Sequence, residues 1–216
     1  MTFYDPVKRA VDIVGAAAGL IAVSPVLATT AAAVAFSMGR PIFFRQQRPG
    51  KQGEPFLLVK FRTMKPAPPG EDTIGNDARR ITRVGQFLRS TSLDELPTLY
   101  NVLRGDMSLV GPRPLLMRYL PRYTPEQARR HEVRPGITGM AQVSGRNALS
   151  WDEKFALDIW YVDNRSPLVD LKILWSTVGK VVRRDGISSQ GHVTMPEFMG
   201  DRRRERENKR EISHGE

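Results

Sequence analysis

The sequence predicts a helix-dominated α+β protein, built from an N-terminal membrane helix, a short β element and surrounding amphipathic helices. Three observations lead to this prediction. An uncharged apolar block near the N-terminus is long enough to enter a bilayer. Later apolar residues mostly recur with helical spacing, and one short apolar segment is typical of a strand. We divide the 216 residues into the membrane helix (1–40), a body (41–200) and a charged tail (201–216).

The apolar block covers residues 13–38 and contains no charged residue. As a helix it would measure roughly 39 Å, which exceeds the thickness of a hydrocarbon core, about 30 Å. Pro25, which follows Ser24, lies near its middle and predicts a kink, because proline removes a helical hydrogen bond and clashes with the preceding turn. Each half reaches only about halfway through a bilayer.

Two membrane topologies fit this block. Basic residues flank it on both sides: Lys8, Arg9, Arg40, Arg45 and Arg48. Since basic residues favour the cytoplasmic side, a helix that bends at Ser24-Pro25 and leaves by the same face suits both flanks, whereas a straight span suits one. A secretory signal cleaved after 33–35 fits less well because the run is long, and a buried soluble helix would need a polar face.

The body is predicted to be mainly helical. Residues 41–55 are rich in proline, glycine and basic residues and are predicted to form a loop. Residues 56–64 predict a short strand with Lys60 and Arg62 on one face. Irregular structure is expected at 111–114 and 134–145, where proline and glycine are dense. Helices are predicted at 81–88, 96–103, 150–164 (with Ser150 and Glu153 as a capping box) and 168–182.

Composition and missing motifs exclude several kinds of protein. The chain has no cysteine, so it has no disulfide, zinc–cysteine site or thiol nucleophile. It has three scattered histidines and neither a Walker loop, a Gly-x-Gly-x-x-Gly fingerprint nor an Asp-x-Asp pair. Of the net charge of +10, the tail carries only +1, so the basic excess belongs to the body and not to a disordered nucleic-acid arm.

Two adjacent carboxylates stand out in the segment SLDELP (92–97). One interpretation is a capping box, in which Ser92 pairs with Glu95. The other places Asp94 at the helix N-cap and Pro97 in the first turn, where both carboxylates and a bound phosphate would suit the positive end of the helix dipole.

Several cations lie in or beside segments interrupted by proline or glycine: Lys60, Arg62, Arg89, Arg113 and Arg146. Guanidinium groups held in rigid loops bind phosphate oxygens well, although each residue alone is more typical of a solvated surface charge. Carboxylates beside several fixed cations are the groups that phosphoryl transfer requires.

Ordered motifs make the sequence recognisable: KFRTM (60–64), TSLDELP (91–97), NVLRGDMS (101–108), VGPRP (110–114), RPGITG (134–139) and GHVTMP (191–196). Together they resemble the bacterial sugar transferase family, the monotopic phosphoglycosyl transferases, over about residues 6–200. The resemblance is to the small, single-domain members, in which 41–200 would be the catalytic domain. Met140 and Ser144 depart from the residues common at these positions in relatives.

The resemblance implies a reaction. Such enzymes move a phospho-sugar from a UDP-sugar to polyprenol (undecaprenyl) phosphate and release UMP. The aspartate matching Asp94 is the nucleophile that forms a covalent phospho-sugar intermediate, and the glutamate matching Glu95, together with Asp94, would hold Mg²⁺. Residues matching Lys60, Arg113, Arg146 and Asp158 belong to the surroundings of the active site.

The resemblance also implies a location. The family breaks its membrane helix at a Ser-Pro pair, which favours the re-entrant topology for Ser24-Pro25 and a monotopic protein on the cytoplasmic face of the bacterial inner membrane. Amphipathic helices such as 168–182 would lie at the interface and contact membrane lipid. The reaction would be the first membrane step of bacterial glycoconjugate assembly, such as polysaccharide synthesis, and a homo-oligomer is compatible with the sequence. The rival hypothesis, a membrane-tethered basic module that binds anionic lipid or nucleic acid, requires no fixed carboxylates, so we expect no nucleic-acid partner.

Overall fold

The structure is a computed structural model that describes residues 4–66, 80–145, 148–183 and 197–200. Helices dominate it, as predicted: α1 (Tyr4–Ala22), α2 (Ser24–Met38), α3 (Arg83–Ser90), α4 (Thr98–Arg104), α5 (Pro125–Ala128), α6 (Met140–Ser144), α7 (Trp151–Asn164) and α8 (Pro167–Arg183). Short 3₁₀ turns supplement them. The strands are β1 (Phe43–Pro49), β2 (Pro55–Phe61), β3 (Ser108–Val110) and β4 (Gly136–Thr138), and they form two two-stranded sheets. The predicted helix-dominated α+β class is confirmed.

The N-terminal apolar block is a bent pair of helices. The axes of α1 and α2 differ by 63°, and the break falls at Val23, directly before Ser24 and Pro25. Pro25 lies in the first turn of α2, where a missing N–H breaks no helical bond, and the Ser24 hydroxyl donates to the Ile21 carbonyl at 2.8 Å. Among the described helices none is long and apolar enough to cross a bilayer alone, but this pair together has the length and composition to do so.

The first half of α1 is fixed to the body by polar contacts. The carboxylate of Asp12, which is 3% exposed, accepts hydrogen bonds from the Ser108 hydroxyl and the Leu109 amide, both at 3.0 Å. Arg9 donates to the carbonyls of Val102 and Leu103 at the end of α4. The Gly105 amide also donates to the Val102 carbonyl at 3.1 Å, so Arg9 of α1 supplements the local cap of α4. Helix α1 is thereby joined to both β3 and α4.

The antiparallel β1–β2 hairpin corrects the prediction for residues 41–55, which was a loop. Seven residues of this segment form β1, because pairing with β2 satisfies their backbone hydrogen-bonding groups. The glycine and proline content alone had suggested irregular structure. The predicted strand at 56–64 is shorter than expected and ends at Phe61. Phe56 and Leu58 pack on one face of the hairpin against α4, while Phe61 packs on the other face against α2 and α3.

The parallel β3–β4 pair corrects a second expectation, since part of 134–145 is regular: it contains β4 and α6. The two backbone segments approach closely because each has a glycine at the contact. A side chain on Gly136 would place its Cβ 2.1 Å from the Gly111 nitrogen, and one on Gly111 would lie 2.4 Å from the Arg134 carbonyl oxygen. The glycines therefore allow direct backbone packing, which fixes the loop that follows β3.

Helices α7 and α8 close the body as predicted. Ser150 and Glu153 form the expected capping box at the start of α7. Helix α8 packs Ile173 and Leu174 into the core. Its opposite face is apolar and exposed: Leu168, Leu171, Trp175 and Val178 are 78%, 63%, 80% and 59% exposed. An exposed apolar helix face with an aromatic residue is typical of a helix that lies in a lipid interface.

The Asp12 contact generates a test of how α1 is held. Asp12→Ala should lower the free energy of unfolding by about 1–3 kcal/mol, because it leaves the Leu109 amide without an acceptor. Asp12→Asn keeps an acceptor oxygen and should retain most of that stability. Thermal unfolding of the purified proteins in detergent measures the difference, and an unchanged Asp12→Ala protein would show that the contact contributes nothing.

Candidate active site

The two adjacent carboxylates lie in a 3₁₀ turn, Leu93–Glu95, between α3 and α4. Neither predicted cap is formed. Ser92 makes no side-chain capping bond and has a left-handed backbone (φ 58°), and the N-cap of α4 is Pro97 instead of Asp94. The physical reason is that the Glu95 carboxylate is bound by cations from distant segments, which removes it from any local capping box.

Glu95 is held by two cations. The Lys60 ammonium lies 2.5 Å from its Oε1, and the Arg113 guanidinium contacts Oε1 at 2.6 Å and Oε2 at 3.4 Å. Burial alone would raise the pKa of Glu95, but Arg113 and Lys60 outweigh burial and hold that pKa far below its usual range. Glu95 is therefore a permanently ionised group that fixes the positions of both cations.

Asp94 lies in the same charged surroundings but is not bound in this way. Within the described part of the chain, no side chain donates a hydrogen bond to its carboxylate. Burial, followed by the charge of Glu95, raises the pKa of Asp94, while Lys60, Arg113 and Arg89 oppose the rise. The result is a more basic carboxylate with free oxygens beside three cations, which suits an oxygen nucleophile or a metal ligand.

A buried ion pair holds the backbone of Arg113. Arg130 donates to the Arg113 carbonyl at 2.8 Å and to the Asp158 carboxylate at 2.6 and 3.0 Å. Both partners are 3% exposed. Asp158, predicted to surround the site, thus acts through Arg130 on the backbone of the Arg113 loop and does not face Glu95.

Of the remaining predicted cations, one lies near the two carboxylates, one lies elsewhere, and one is outside the described residues. Arg89 donates to the Thr63 hydroxyl at 3.1 Å and lies close enough to Asp94 to lower its pKa. Arg62 does not join the group: it is buried and its guanidinium donates to the carbonyls of Met38, Gly39 and Arg40. Because β2 ends at Phe61, the strand alternation that predicted Arg62 beside Lys60 does not extend to it. Arg146, GHVTMP (191–196) and the tail lie outside the described residues.

A pocket with about 70 Å³ of space opens beside Glu95. Lys60, Thr98 and Arg113 line it, together with Leu115 and Ile137. Arg48 also lines it and was missed as a site residue, having been assigned only to the basic flank of the membrane block. The rule used for the other arginines would have found it, because Arg48 precedes Pro49 and Gly50.

The donor set fits Mg²⁺ only in part. In the described ranges no group of three or more metal-ligating side chains occurs. Asp94 and Glu95 supply the one or two carboxylates that Mg²⁺ uses when substrate phosphates and water complete its coordination. Asp94 has the free oxygens for this, whereas Glu95 already contacts two cations.

Comparison with known proteins gives a matching family model and several similar relatives. The family model described as "Bacterial sugar transferase" matches residues 3–184. The uncharacterized sugar transferase EpsL of Bacillus subtilis is 53% identical over 193 residues, covering 89% of this chain and 96% of that protein. The UDP-glucose:undecaprenyl-phosphate glucose-1-phosphate transferase of Caulobacter vibrioides is 42% identical, covering 82% of this chain and 70% of its own length. The UDP-galactose-lipid carrier transferase of Erwinia amylovora is 40% identical, and the match spans only 41% of that longer protein.

The buried ion pair behind Arg113 generates a stability test. Asp158→Asn should lower the free energy of unfolding by about 3–5 kcal/mol, because it leaves Arg130 buried without a charge partner. The matched control is Asp163→Asn, which breaks an exposed pair with Arg129 on the same helix and should change stability little. Equal shifts in unfolding temperature for the two variants would contradict the role assigned to Asp158.

Proposed function

Because the chain belongs to the bacterial sugar transferase family, we propose that it transfers a phospho-sugar from a UDP-sugar to polyprenol phosphate and releases UMP. The relatives from Caulobacter and Erwinia, whose names specify a nucleotide sugar and a lipid carrier, support this substrate class. The observation on which the proposal rests is a carboxylate with free oxygens, Asp94, beside the cations Lys60, Arg113 and Arg89. A nucleophile and a cationic site for a diphosphate are thereby present together.

The proposed reaction has two steps. In the first, an Asp94 oxygen attacks the β-phosphorus of the UDP-sugar; a carboxylate–phosphorus bond forms, the bond to the bridging oxygen breaks, and UMP leaves with that electron pair. In the second, a phosphate oxygen of polyprenol phosphate attacks the same phosphorus and displaces Asp94. The raised pKa of Asp94 favours the first step, since a more basic carboxylate is a stronger nucleophile once ionised.

Glu95 has a different part in this proposal. Its lowered pKa keeps it ionised, and its contacts hold Lys60 and Arg113 where negative charge develops on the phosphoryl oxygens. Asp94 and Glu95 are also the residues that would hold Mg²⁺. The ion, when bound, supplies charge neutralisation for the diphosphate and the leaving UMP.

We place the protein on the cytoplasmic face of the bacterial inner membrane as a monotopic protein. The 63° bend between α1 and α2 supports a helix pair that enters one leaflet and returns. The exposed apolar face of α8 would lie in the same interface. This location would bring a lipid phosphate and a soluble nucleotide sugar to one carboxylate, at the first membrane step of polysaccharide or related glycoconjugate assembly.

Replacing the nucleophile tests the proposed reaction. Asp94→Asn preserves side-chain size but removes the attacking carboxylate, so UMP release should fall on the order of 10³-fold or more, and a radiolabelled phospho-sugar adduct on the protein should disappear. The assay supplies polyprenol phosphate and the UDP-sugar that gives the fastest wild-type release in a panel. Asp163→Asn, an exposed aspartate outside the site, should keep both signals. Undiminished turnover of Asp94→Asn would reject the nucleophile assignment.

Labelling from either side of the membrane tests the topology. The chain has no cysteine, so a single cysteine appended to either end gives a unique label site. We expect an impermeant thiol reagent to label both ends only after the inner membrane is opened, because the bent pair returns α2 to the side it entered. Labelling of one end in intact spheroplasts would show a straight span.

A further inference from the structure

Arg48 lies on the face of the β1–β2 hairpin that borders the pocket beside Glu95. In the antiparallel register, Arg48 is opposite Phe56 and Phe44 is opposite Lys60. Side chains alternate along a strand, and directly paired residues share a face, so Arg48 and Lys60 project from the same face. Both line the pocket beside Glu95, so two cations of this hairpin border one space.

The guanidinium of Arg48 is only partly satisfied. It donates to the Gln46 side chain at 2.6 Å and makes a long contact of 3.4 Å with the Pro114 carbonyl. Its Nε is buried and has no hydrogen-bond partner among the described residues. No carboxylate in the described ranges forms an ion pair with it, whereas Lys60 and Arg113 share Glu95. Among the described residues, the pocket therefore contains one cation, Arg48, that is not paired with its carboxylate.

The electrostatic surroundings reinforce this imbalance. Burial, together with the nearby charges of Arg113 and Arg118, lowers the pKa of Arg48 to about 10, and Glu95 opposes the change from beyond contact distance. A desolvated cation with like charges beside it is unfavourable in the free protein. An anion that entered the pocket would offset that cost by pairing with the guanidinium.

We propose that Arg48 binds a phosphate oxygen of the ligand that occupies this pocket. The inference rests on the proposed function, which supplies two sources of that phosphate: the diphosphate of the UDP-sugar and the phosphate of the polyprenol acceptor. A guanidinium can donate from two nitrogens to one phosphate, which distinguishes Arg48 from Lys60, a single point charge. Arg48 would thus be a phosphate ligand on the hairpin, next to the Lys60–Glu95–Arg113 cluster.

A purely structural Arg48, which only holds the Pro114 carbonyl, would behave differently when replaced. Structural loss lowers the unfolding temperature of the ligand-free protein. Loss of a phosphate ligand leaves that temperature unchanged or raises it, because an unpaired buried cation is gone, and it reduces the stabilisation that an anionic ligand provides. The two roles therefore separate in one pair of measurements.

The experiment compares full-length wild type, Arg48→Gln and Arg48→Lys, with Arg45→Gln as the matched control on the same strand, where Arg45 is exposed. Unfolding temperature is measured without ligand, with UDP, and with a short-chain polyprenyl phosphate. KM for each substrate is measured in parallel. We expect Arg48→Gln to raise one KM roughly tenfold to a hundredfold and to lose the matching ligand-induced shift, Arg48→Lys to recover part of both, and Arg45→Gln to match wild type.

Each outcome has one meaning. Loss confined to UDP assigns Arg48 to the nucleotide diphosphate, and loss confined to the polyprenyl phosphate assigns it to the acceptor. An Arg48→Gln protein with wild-type KM values and shifts, or one destabilised without ligand but with unchanged shifts, overturns the Arg48 site and leaves the proposed function standing. A wild-type protein that responds to neither ligand and releases no UMP overturns both.

Discussion

The ion pairs of Glu95 with Lys60 and Arg113 are the interaction on which the site depends. They join three segments that are distant in sequence: the hairpin strand β2, the turn between α3 and α4, and the loop after β3. In a partly desolvated environment, a carboxylate bound by two cations is far more stable than any one of the three charged groups would be there without its partners. Glu95 thus sets the geometry in which its neighbour Asp94 is exposed to positive charge without being bound by it.

Adjacent carboxylates acquire opposite properties in this arrangement. The cations lower the pKa of Glu95, while burial and the negative charge of Glu95 raise that of Asp94. When environments push the pKa values of two neighbouring acids apart, the two groups suit different roles. Here one acid is a fixed electrostatic support, and the other keeps the free oxygens and the basicity that nucleophilic attack requires. The order of the two residues in the chain matters less than which of them the cations reach.

Most features that depend on residues within one turn were predicted from the sequence, whereas several that depend on distant segments were not. The break at Ser24-Pro25 and the cap at Ser150 depend on residues within one turn, so their patterns predict them. Strand β1 was missed because it exists through pairing with β2. One of the two interpretations of the turn placed Glu95 in a cap, and Arg62 was assigned to the site, because nothing local shows which distant carbonyls or charges each one contacts. The resemblance to a family supplied the expected nucleophile and its acidic neighbour, while the partners of those residues required the fold.

Helix α1 and the candidate site are joined by direct contacts. Asp12 of α1 is bonded to β3, and the chain passes from β3 directly into the loop that carries Arg113. Arg9, one turn earlier, helps to cap the end of α4, the helix that follows the Asp94 turn. Both contacts are to backbone or buried groups, so they fix α1 relative to the site and leave little freedom between them. In the proposed membrane-inserted state, the depth of the bent helix pair in the lipid therefore sets the height of Asp94 above the bilayer. A soluble donor and a lipid acceptor can then meet at one oxygen without a large movement of the protein.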